Sequence, residues 1–213
     1  MSENKNIEQH YSLDERPFLE KVRGFCQLVE DRYSPYLTDF LNPREIQIVE
    51  DLANYYQLKF FVSSNLETEE YRRVIIAPDY YELSDDDFEI KRLEVSYARQ
   101  FNTLTHPKVL GTLINQLGLE RQVFGDIIIN DDGRIQFSIA SHLANYAIMT
   151  IKKIGNVSVT LKDVSEGNWI TNQENYSHSF VLLSSMRLDN VLATVLNLSR
   201  SRALKLISSG KVK

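Results

Sequence analysis

The sequence contains few residues that could cross-link the chain or carry it across a membrane. Among its 213 residues there is one cysteine, Cys26, so no disulfide can form within the chain. No segment approaches the roughly 20 consecutive apolar residues of a membrane helix. The polar stretch from Met1 to Gln9 lacks the features of a signal peptide. We therefore expect a cytoplasmic protein that does not insert into membranes.

Groups that usually carry catalysis are also scarce. The histidines His10, His106, His142 and His178 are scattered, and none pairs with an acid or a cysteine at the spacing of metal ligands. The sequence has no glycine-rich nucleotide loop of the G-x-G-x-x-G or P-loop type. Cys26 falls on the apolar stripe of a predicted helix, which indicates a buried thiol rather than a nucleophile. We expect no metal, no cofactor, no small-molecule substrate and no enzymatic activity.

Charge is distributed unevenly along the chain. The hydrophobic content of 43% is sufficient for a packed core, and the formal net charge is −5. Residues 187–213 contain six Lys/Arg against one Asp, a net charge of +5, so the remaining residues carry −10. An acidic body with a basic end argues against coating nucleic acid over the whole surface. It favours docking through one patch.

Residues 1–83 are predicted to form a small α+β unit, with two helices first and a pair of strands after them. The predicted elements are a helix that opens at Asp14, a helix from Pro43 to Tyr56, and strands at 58–62 and Arg72–Ala77. The acidic residues 84–87 that follow are interpreted as a solvated link to the next domain.

Residues 84–165 are predicted to form a ferredoxin-like domain, an arrangement that RNA-recognition motifs also use. The pattern gives strands at 90–97, 125–130 and 134–139, a helix that begins at Pro107, a helix over 140–153, and a last strand with Val157, Val159 and Leu161. The outer strands would expose Arg92, Glu94 and Ser96, and then Ser158, Thr160 and Lys162.

That predicted open face has no paired aromatic residues. Phe137 is in phase with Ile135, so we expect it in the core. RNA-recognition motifs stack bases on exposed aromatics of this face. We therefore expect no base stacking on the sheet, while contacts to phosphate or protein stay open.

Residues 166–186 are predicted to be a connecting loop and a strand-like run from Tyr176 to Ser185. Two short helices then follow in residues 187–213. Leu188, Val191, Leu192, Val195 and Leu196 recur at helical spacing, and Ala203, Leu204 and Ile207 give the second helix its apolar face.

The start of the second helix collects basic and hydroxyl side chains. Ser199 is expected to cap the helix by accepting a backbone hydrogen bond, and Gly210 suits its left-handed end. Free N–H groups, a hydroxyl and arginines at one helix start are suited to bind phosphate. A solvated basic helix explains the same spacing about as well. The candidate RNA-binding residues are Arg187, Ser199, Arg200, Arg202, Lys205 and Lys211.

The terminal motif resembles the S-four RNA-binding domain over about 27 residues. The matching positions are RLD at 187–189, Leu192, SR at 199–200, Ala203, Ile207 and GKV at 210–212. The resemblance implies that the helix pair lies on structured RNA and that a β-hairpin follows it. Because the chain stops at Lys213, we expect the domain to be incomplete here.

Nearly the whole chain resembles the YlmH family of bacterial S-four proteins. The supporting stretches are FLNPRE at 40–45, RVIIAPDYY at 73–81, FGDI at 124–127 and GRIQ at 133–136. The resemblance implies binding to ribosomal RNA and tRNA on the large ribosomal subunit, in the rescue of stalled peptidyl-tRNA complexes. It also implies a link to cell division.

Two other functions stay open. One is a protein-interaction module of the division machinery, which would bind partners through the acidic body. The other is an accessory RNA-binding part of an RNA-modifying enzyme, because pseudouridine synthases carry a catalytic Asp in an Arg-Leu-Asp motif. Here Arg187-Leu188-Asp189 opens the helix pair itself, so we interpret Asp189 as a helix acid or an ion-pair partner.

Overall fold

The structure is a computed structural model that describes residues 11–63, 69–164, 168–171 and 180–212. The chain divides into two units, residues 1–173 and residues 174–213. Helices and antiparallel sheets are both present, so the predicted α+β class is confirmed.

The first half of unit 1 is a three-stranded sheet covered by two helices. Its elements are α1 (Arg16–Arg32), β1 (Tyr36–Leu41), α2 (Pro43–Tyr55), β2 (Lys59–Val62) and β3 (Arg72–Ala77), and the strand order is β1-β3-β2. Helix α1 buries Leu19, Val22, Cys26 and Val29 at helical spacing. At the start of α2, the Asn42 side chain accepts from Glu45 N at 2.9 Å, and Glu45 accepts from Asn42 N at 2.9 Å.

The expectation of two helices followed by only two strands is wrong. A third strand, β1, follows α1 and precedes α2 in the sequence, and it pairs antiparallel with β3. Thr38 is buried on β1, and its hydroxyl accepts from Val74 N at 3.0 Å. The strand is stabilised by partners more than 30 residues away and has little local signal of its own.

In the second half of unit 1, the helices and the strands of the four-stranded sheet follow the predicted order β-α-β-β-α-β, with a small extra hairpin before the last strand. Its elements are β4 (Ile90–Ser96), α3 (His106–Leu117), β5 (Phe124–Ile129), β6 (Ile135–Ala140), α4 (Ser141–Thr150), β7 (Lys153–Ile154), β8 (Val157–Ser158) and β9 (Thr160–Asp163). The four-stranded sheet runs β5-β6-β4-β9, and its neighbouring strands are antiparallel. Gly133, at φ 73°, closes the turn between β5 and β6.

The end of this half differs from the prediction in two places. Helix α4 stops at Thr150 because Ile151 is extended, so residues 151–153 are not helical. Strands β7 and β8 then form a small hairpin around Gly155, which has φ 59°. Ser158 therefore belongs to that hairpin and not to the last strand of the sheet.

Both helices of this half pack on one face of the four-stranded sheet. The buried cluster joins residues of α3 and α4 to residues of all four strands. Phe137 is 1% exposed within it, so its predicted place in the core is confirmed. Its members include Leu93, Val95, Val109, Leu113, Phe124, Ile135, Phe137, Ile139, Ala144, Ala147 and Leu161.

The link between the two sheets is folded, although its residues 84–87 are exposed or half-buried as the sequence predicted. Residues Asp85–Phe88 form a 3-10 turn, and Phe88 is buried. Arg73, which is also buried, donates to the carbonyl oxygens of Thr38 (2.8 Å), Phe88 (2.9 Å) and Glu89 (3.1 Å). One guanidinium thus ties the first sheet to the start of the second.

Unit 2 is a pair of short helices, α5 (Leu188–Val195) and α6 (Arg200–Ser208), as the sequence predicted. Asn197, at φ 50°, turns the chain between them, and Gly210, at φ 65°, ends α6. Residues 180–187, the described part before α5, contain no strand, so that prediction is wrong there. The earlier part of the run, at 176–179, lies outside the described residues.

Candidate RNA-binding surface

The starts of the two helices of unit 2 carry the predicted basic residues. Arg187 is the residue immediately before α5, and Arg200 is the first residue of α6. Although 13 positions separate them in the sequence, both contact the same side chain, Asp189 in the first turn of α5. The turn at Asn197 brings the second helix back against the first, which allows this contact.

Asp189 is the buried centre of this arrangement. Its side chain is 5% exposed, whereas those of Arg187 and Arg200 are 68% and 61% exposed. Asp189 Oδ2 accepts from Arg200 Nε at 2.7 Å, and Oδ1 accepts from Arg187 Nε at 3.1 Å. These bonds hold the pKa of Asp189 below its usual value, with the Arg200 bond as the largest cause. Its interpretation as an ion-pair partner is confirmed.

Ser199 stands at the predicted N-cap position but does not cap α6 with its side chain, so that expectation is wrong. Its hydroxyl lies 3.1 Å from the Ser201 hydroxyl instead. The Ser199 carbonyl accepts the first helical N–H groups, from Arg202 at 2.9 Å and Ala203 at 3.0 Å. Two exposed hydroxyls therefore stand at a helix start, where the dipole favours an anion.

The remaining candidate residues spread along α6. Arg202 and Lys205 are exposed and three positions apart, so they are neighbours on the helix surface. Lys211 is exposed beyond Gly210, where its backbone N–H is bonded to Leu206 O at 3.1 Å. The nine residues of α6 span about 13 Å at 1.5 Å per residue. Lys211 therefore belongs to the opposite end of the helix from Ser199.

In unit 1, the second face of the four-stranded sheet is polar and is covered by the chain itself. Residues 168–171, called the strap below, lie across it. The buried Gln136 donates through Nε2 to Asn168 O at 3.0 Å and accepts through Oε1 from Ile170 N at 3.0 Å. Arg92 Nη1 donates to Ile170 O at 3.4 Å. The face that was expected to be open is therefore closed at its centre.

Two side chains, from the strap and from the first half of unit 1, also contact the Arg92 guanidinium. Its guanidinium lies 4.5 Å from the centre of the Trp169 ring on the strap, and its Nη2 pairs with the carboxylate of Glu69 from the first half of unit 1. Both partners of this ion pair are more than 90% buried, and burial lowers the pKa of Arg92 to about 10. The sequence placed Arg92 on this face correctly, but the expectation that its side chain is exposed is wrong, because the strap and Glu69 bury it.

Sequence reasoning missed the strap because it interpreted these residues as part of the connecting loop that begins at residue 166. The only available signal was Trp169 followed by Ile170, two large apolar side chains in a polar stretch. Ser201 was also missed as a partner of Ser199, although a second hydroxyl two positions later was visible in the sequence.

Neither a candidate metal cluster nor a membrane-spanning helix is present in the same described ranges. These residues contain no group of three or more His, Cys, Asp or Glu side chains placed to hold a metal ion. None of the helices described above is long and apolar enough to span a membrane.

Comparison with known proteins gives matches over both units. Residues 14–81 match the family model described as "YlmH, N-terminal", and residues 84–168 match "Putative RNA-binding domain in YlmH". The chain is 29% identical over 208 residues to "Ribosome-associated protein quality control protein P2" of Bacillus subtilis, a match that covers 98% of this chain and 80% of that protein.

A solved structure agrees with these matches. It is that of "Cell division protein ylmH from Streptococcus pneumoniae", which is 40% identical and superimposes with a TM-score of 0.68. The match covers 76% of this chain and 98% of that one. With two family models in succession and a 40% identical relative covered almost completely, this chain belongs to the YlmH family.

Proposed function

We propose that this protein is a non-catalytic RNA-binding protein that docks on ribosomal RNA and tRNA of the large ribosomal subunit, and that it acts in the rescue of stalled peptidyl-tRNA complexes. The name of the Bacillus subtilis relative supports a role in ribosome-associated quality control. The family model that matches residues 84–168 supports RNA as the ligand.

The observation that carries the proposal is the basic surface of unit 2. Two exposed arginines meet at the helix starts, two hydroxyls lie beside them, and Arg202 and Lys205 extend the positive surface along α6. Arginine binds phosphate oxygens through paired N–H groups, and helix starts favour anions. The rest of the chain is acidic, so this segment is where we expect attraction for RNA.

The state of Asp189 supports the non-catalytic part of the proposal. A carboxylate that attacks or abstracts a proton must reach its substrate. Asp189 is buried, and both of its oxygens accept from arginines. This arrangement favours a structural role in the Arg-Leu-Asp motif over the catalytic role that the same motif has in pseudouridine synthases.

Sedimentation of the protein with purified large ribosomal subunits over a salt series tests the proposal. We expect it to pellet with the subunit at low salt and to be released with a linear dependence of log affinity on log salt, because phosphate contacts displace counterions. Small subunits at the same concentration are the control. Absence of salt-dependent binding to large subunits would contradict the proposal.

A second function is favoured by the name of the Streptococcus pneumoniae relative, which is that of a cell-division protein. If this chain is instead an interaction module of the division machinery, the acidic unit 1 would bind a basic protein partner. Such a module would not pellet with ribosomal subunits. The same sedimentation experiment therefore separates the two functions.

A further inference from the structure

We infer that Asp189 is a positioning residue for RNA, which holds Arg187 and Arg200 so that both guanidinium groups present their terminal nitrogens to phosphate. This inference rests on the proposed function. It gives a role to a carboxylate, whose negative charge should repel RNA phosphate. An isolated carboxylate inside a phosphate-binding surface should weaken binding.

The two contacts use only one nitrogen of each arginine. Both arginines donate to Asp189 through Nε, at 3.1 Å for Arg187 and 2.7 Å for Arg200. A guanidinium has five N–H donors, so each keeps the four on its terminal nitrogens. Within the described part of the chain, those nitrogens donate to no other protein group. The donors suited to paired contacts with phosphate therefore stay available.

Burial determines which charged side chains an approaching RNA strand contacts. The Asp189 side chain is 5% exposed, and the arginines cover it while remaining 68% and 61% exposed. A phosphate therefore approaches two guanidinium groups and not the carboxylate. The set of three side chains keeps a net charge of +1 in addition to its fixed geometry.

Fixed geometry strengthens binding because a free arginine loses side-chain freedom when it binds. Immobilising a side chain with many rotamers opposes association, and a side chain that is already held avoids that loss. Asp189 also fixes the two arginines relative to each other across two helices, since it lies in α5 and Arg200 lies in α6. The pair can thus match the spacing of a structured RNA better than two independent cations.

Asp189→Asn separates positioning from simple charge because the two ideas predict effects of opposite sign. The substitution removes a negative charge from the basic unit, so charge alone predicts tighter RNA binding. Positioning predicts weaker binding, by about tenfold if both arginines lose their order. The measurement is the dissociation constant of the full chain for ribosomal RNA at one fixed salt concentration. The matched control is Glu20→Gln, an exposed carboxylate on α1 that pairs with Arg23, for which we expect no loss.

A second background tests whether Asp189 acts through the arginines. In a chain that carries Arg187→Gln and Arg200→Gln, Asp189→Asn should cause no further loss of RNA affinity. An equal loss in both backgrounds would show that Asp189 only supports the fold, and the inference would be wrong. Equal or tighter binding of Asp189→Asn in the wild-type background would also overturn it.

A measurement on the unmodified protein covers the case in which Asp189→Asn fails to fold. The Nε–H protons of Arg187 and Arg200 should exchange with water more slowly than that of the exposed Arg202 in the absence of RNA. Equal exchange at all three sites would overturn the inference. Absence of salt-dependent RNA binding by the wild-type chain would instead contradict the proposed function, whatever the exchange rates.

Discussion

Gly125 lies at a tight contact between the two sheets of unit 1. A Cβ built at this position would lie 2.8 Å from Phe40 Cε1 and 2.9 Å from Ser138 Cβ, both well inside ordinary contact distance. Phe40 belongs to β1, and Gly125 and Ser138 lie on neighbouring strands of the second sheet. The absence of a side chain at this glycine lets the two sheets pack together.

Gly125→Ala should therefore destabilise unit 1 by about 1–3 kcal/mol, the usual range for forcing extra volume into a packed site. Thermal or urea unfolding measures this change. Gly24→Ala is the matched control, because nothing lies within 4 Å of a Cβ at that helical position. The control should be neutral or stabilise by up to about 1 kcal/mol. Equal effects of the two substitutions would contradict the close contact.

The thiol of Cys26 gives a second prediction for a single residue. Its side chain is 0% exposed, and burial raises its pKa to about 12. The folded protein should therefore resist a thiolate-specific reagent at pH 8, and one thiol per chain should react after unfolding. Rapid reaction of the native protein would show that α1 does not pack as described.

The raised pKa of Cys26 also makes the stability of the fold depend on pH. Its folded pKa of about 12 lies above the ordinary value of 9.0, so unfolding releases a proton when the pH exceeds about 9. The contribution of Cys26 to stability is complete below pH 9 and falls as the pH rises from there towards 12. Cys26→Ala should remove this part of the alkaline loss of stability, as urea unfolding at pH 8 and pH 10.5 would show.

Among the elements of the fold, the strap differs most from expectation, because it covers the sheet face that the sequence predicted to be open. Gln136 both donates to Asn168 O and accepts from Ile170 N at 3.0 Å, while Arg92 and Arg134 add longer hydrogen bonds to the strap. Trp169 is the only tryptophan of the chain, and its ring lies against Arg92. Intrinsic tryptophan fluorescence therefore reports directly on strap docking.

Gln136→Leu removes both hydrogen bonds of that side chain while roughly keeping its size. We expect the Trp169 emission to move to longer wavelength as the ring becomes more exposed to water, and the free energy of unfolding to fall by about 1–3 kcal/mol. Gln122→Leu, on a turn outside the sheet, is the control and should leave the emission unchanged. An unchanged spectrum in Gln136→Leu would mean that the strap is held by other contacts.

Elements with strong local signals were predictable from the sequence, and those stabilised by distant partners were not. Asn42-Pro43 marked the start of α2, and the Asp131-Asp132-Gly133 turn marked the β5–β6 hairpin, because caps and turns act over a few residues. Strand β1 and the strap depend on hydrogen bonds to residues more than 30 positions away. Periodicity in a short window carries no information about such contacts.

The candidate RNA-binding surface likewise has some features that the sequence predicted and others that it did not. The helix pair and the basic residues followed from spacing and residue type, which also left ion pairing as one of two roles open to Asp189. The sharing of one buried carboxylate by Arg187 and Arg200 did not, because it depends on how α6 folds back on α5. Because Arg200 contacts Asp189, Arg200→Glu is a poor probe of RNA binding. The substitution would place a second carboxylate beside Asp189.

At the scale of the whole molecule, we propose that one basic surface on an acidic chain binds RNA. Arg202 and Lys205 are the cleanest probes of this surface, because both are exposed on α6 and neither takes part in the Asp189 contacts. Exposed substitutions of this kind usually change stability by about 0.5 kcal/mol or less. Changes in RNA affinity can then be assigned to the surface itself.

The most direct measurement is the affinity for ribosomal RNA, over a salt series, of wild type, of Arg202→Glu with Lys205→Glu, and of a control with Arg16→Glu and Lys21→Glu. Both control residues are exposed on α1, outside the segment that matches the RNA-binding family model, and the change in net charge is the same. We predict that the α6 variant loses most of its affinity at moderate salt and shows a shallower salt dependence, while the control stays within a few-fold of wild type. Equal losses in the two variants, or full binding by the α6 variant, would contradict the claim that RNA binds at the helix pair.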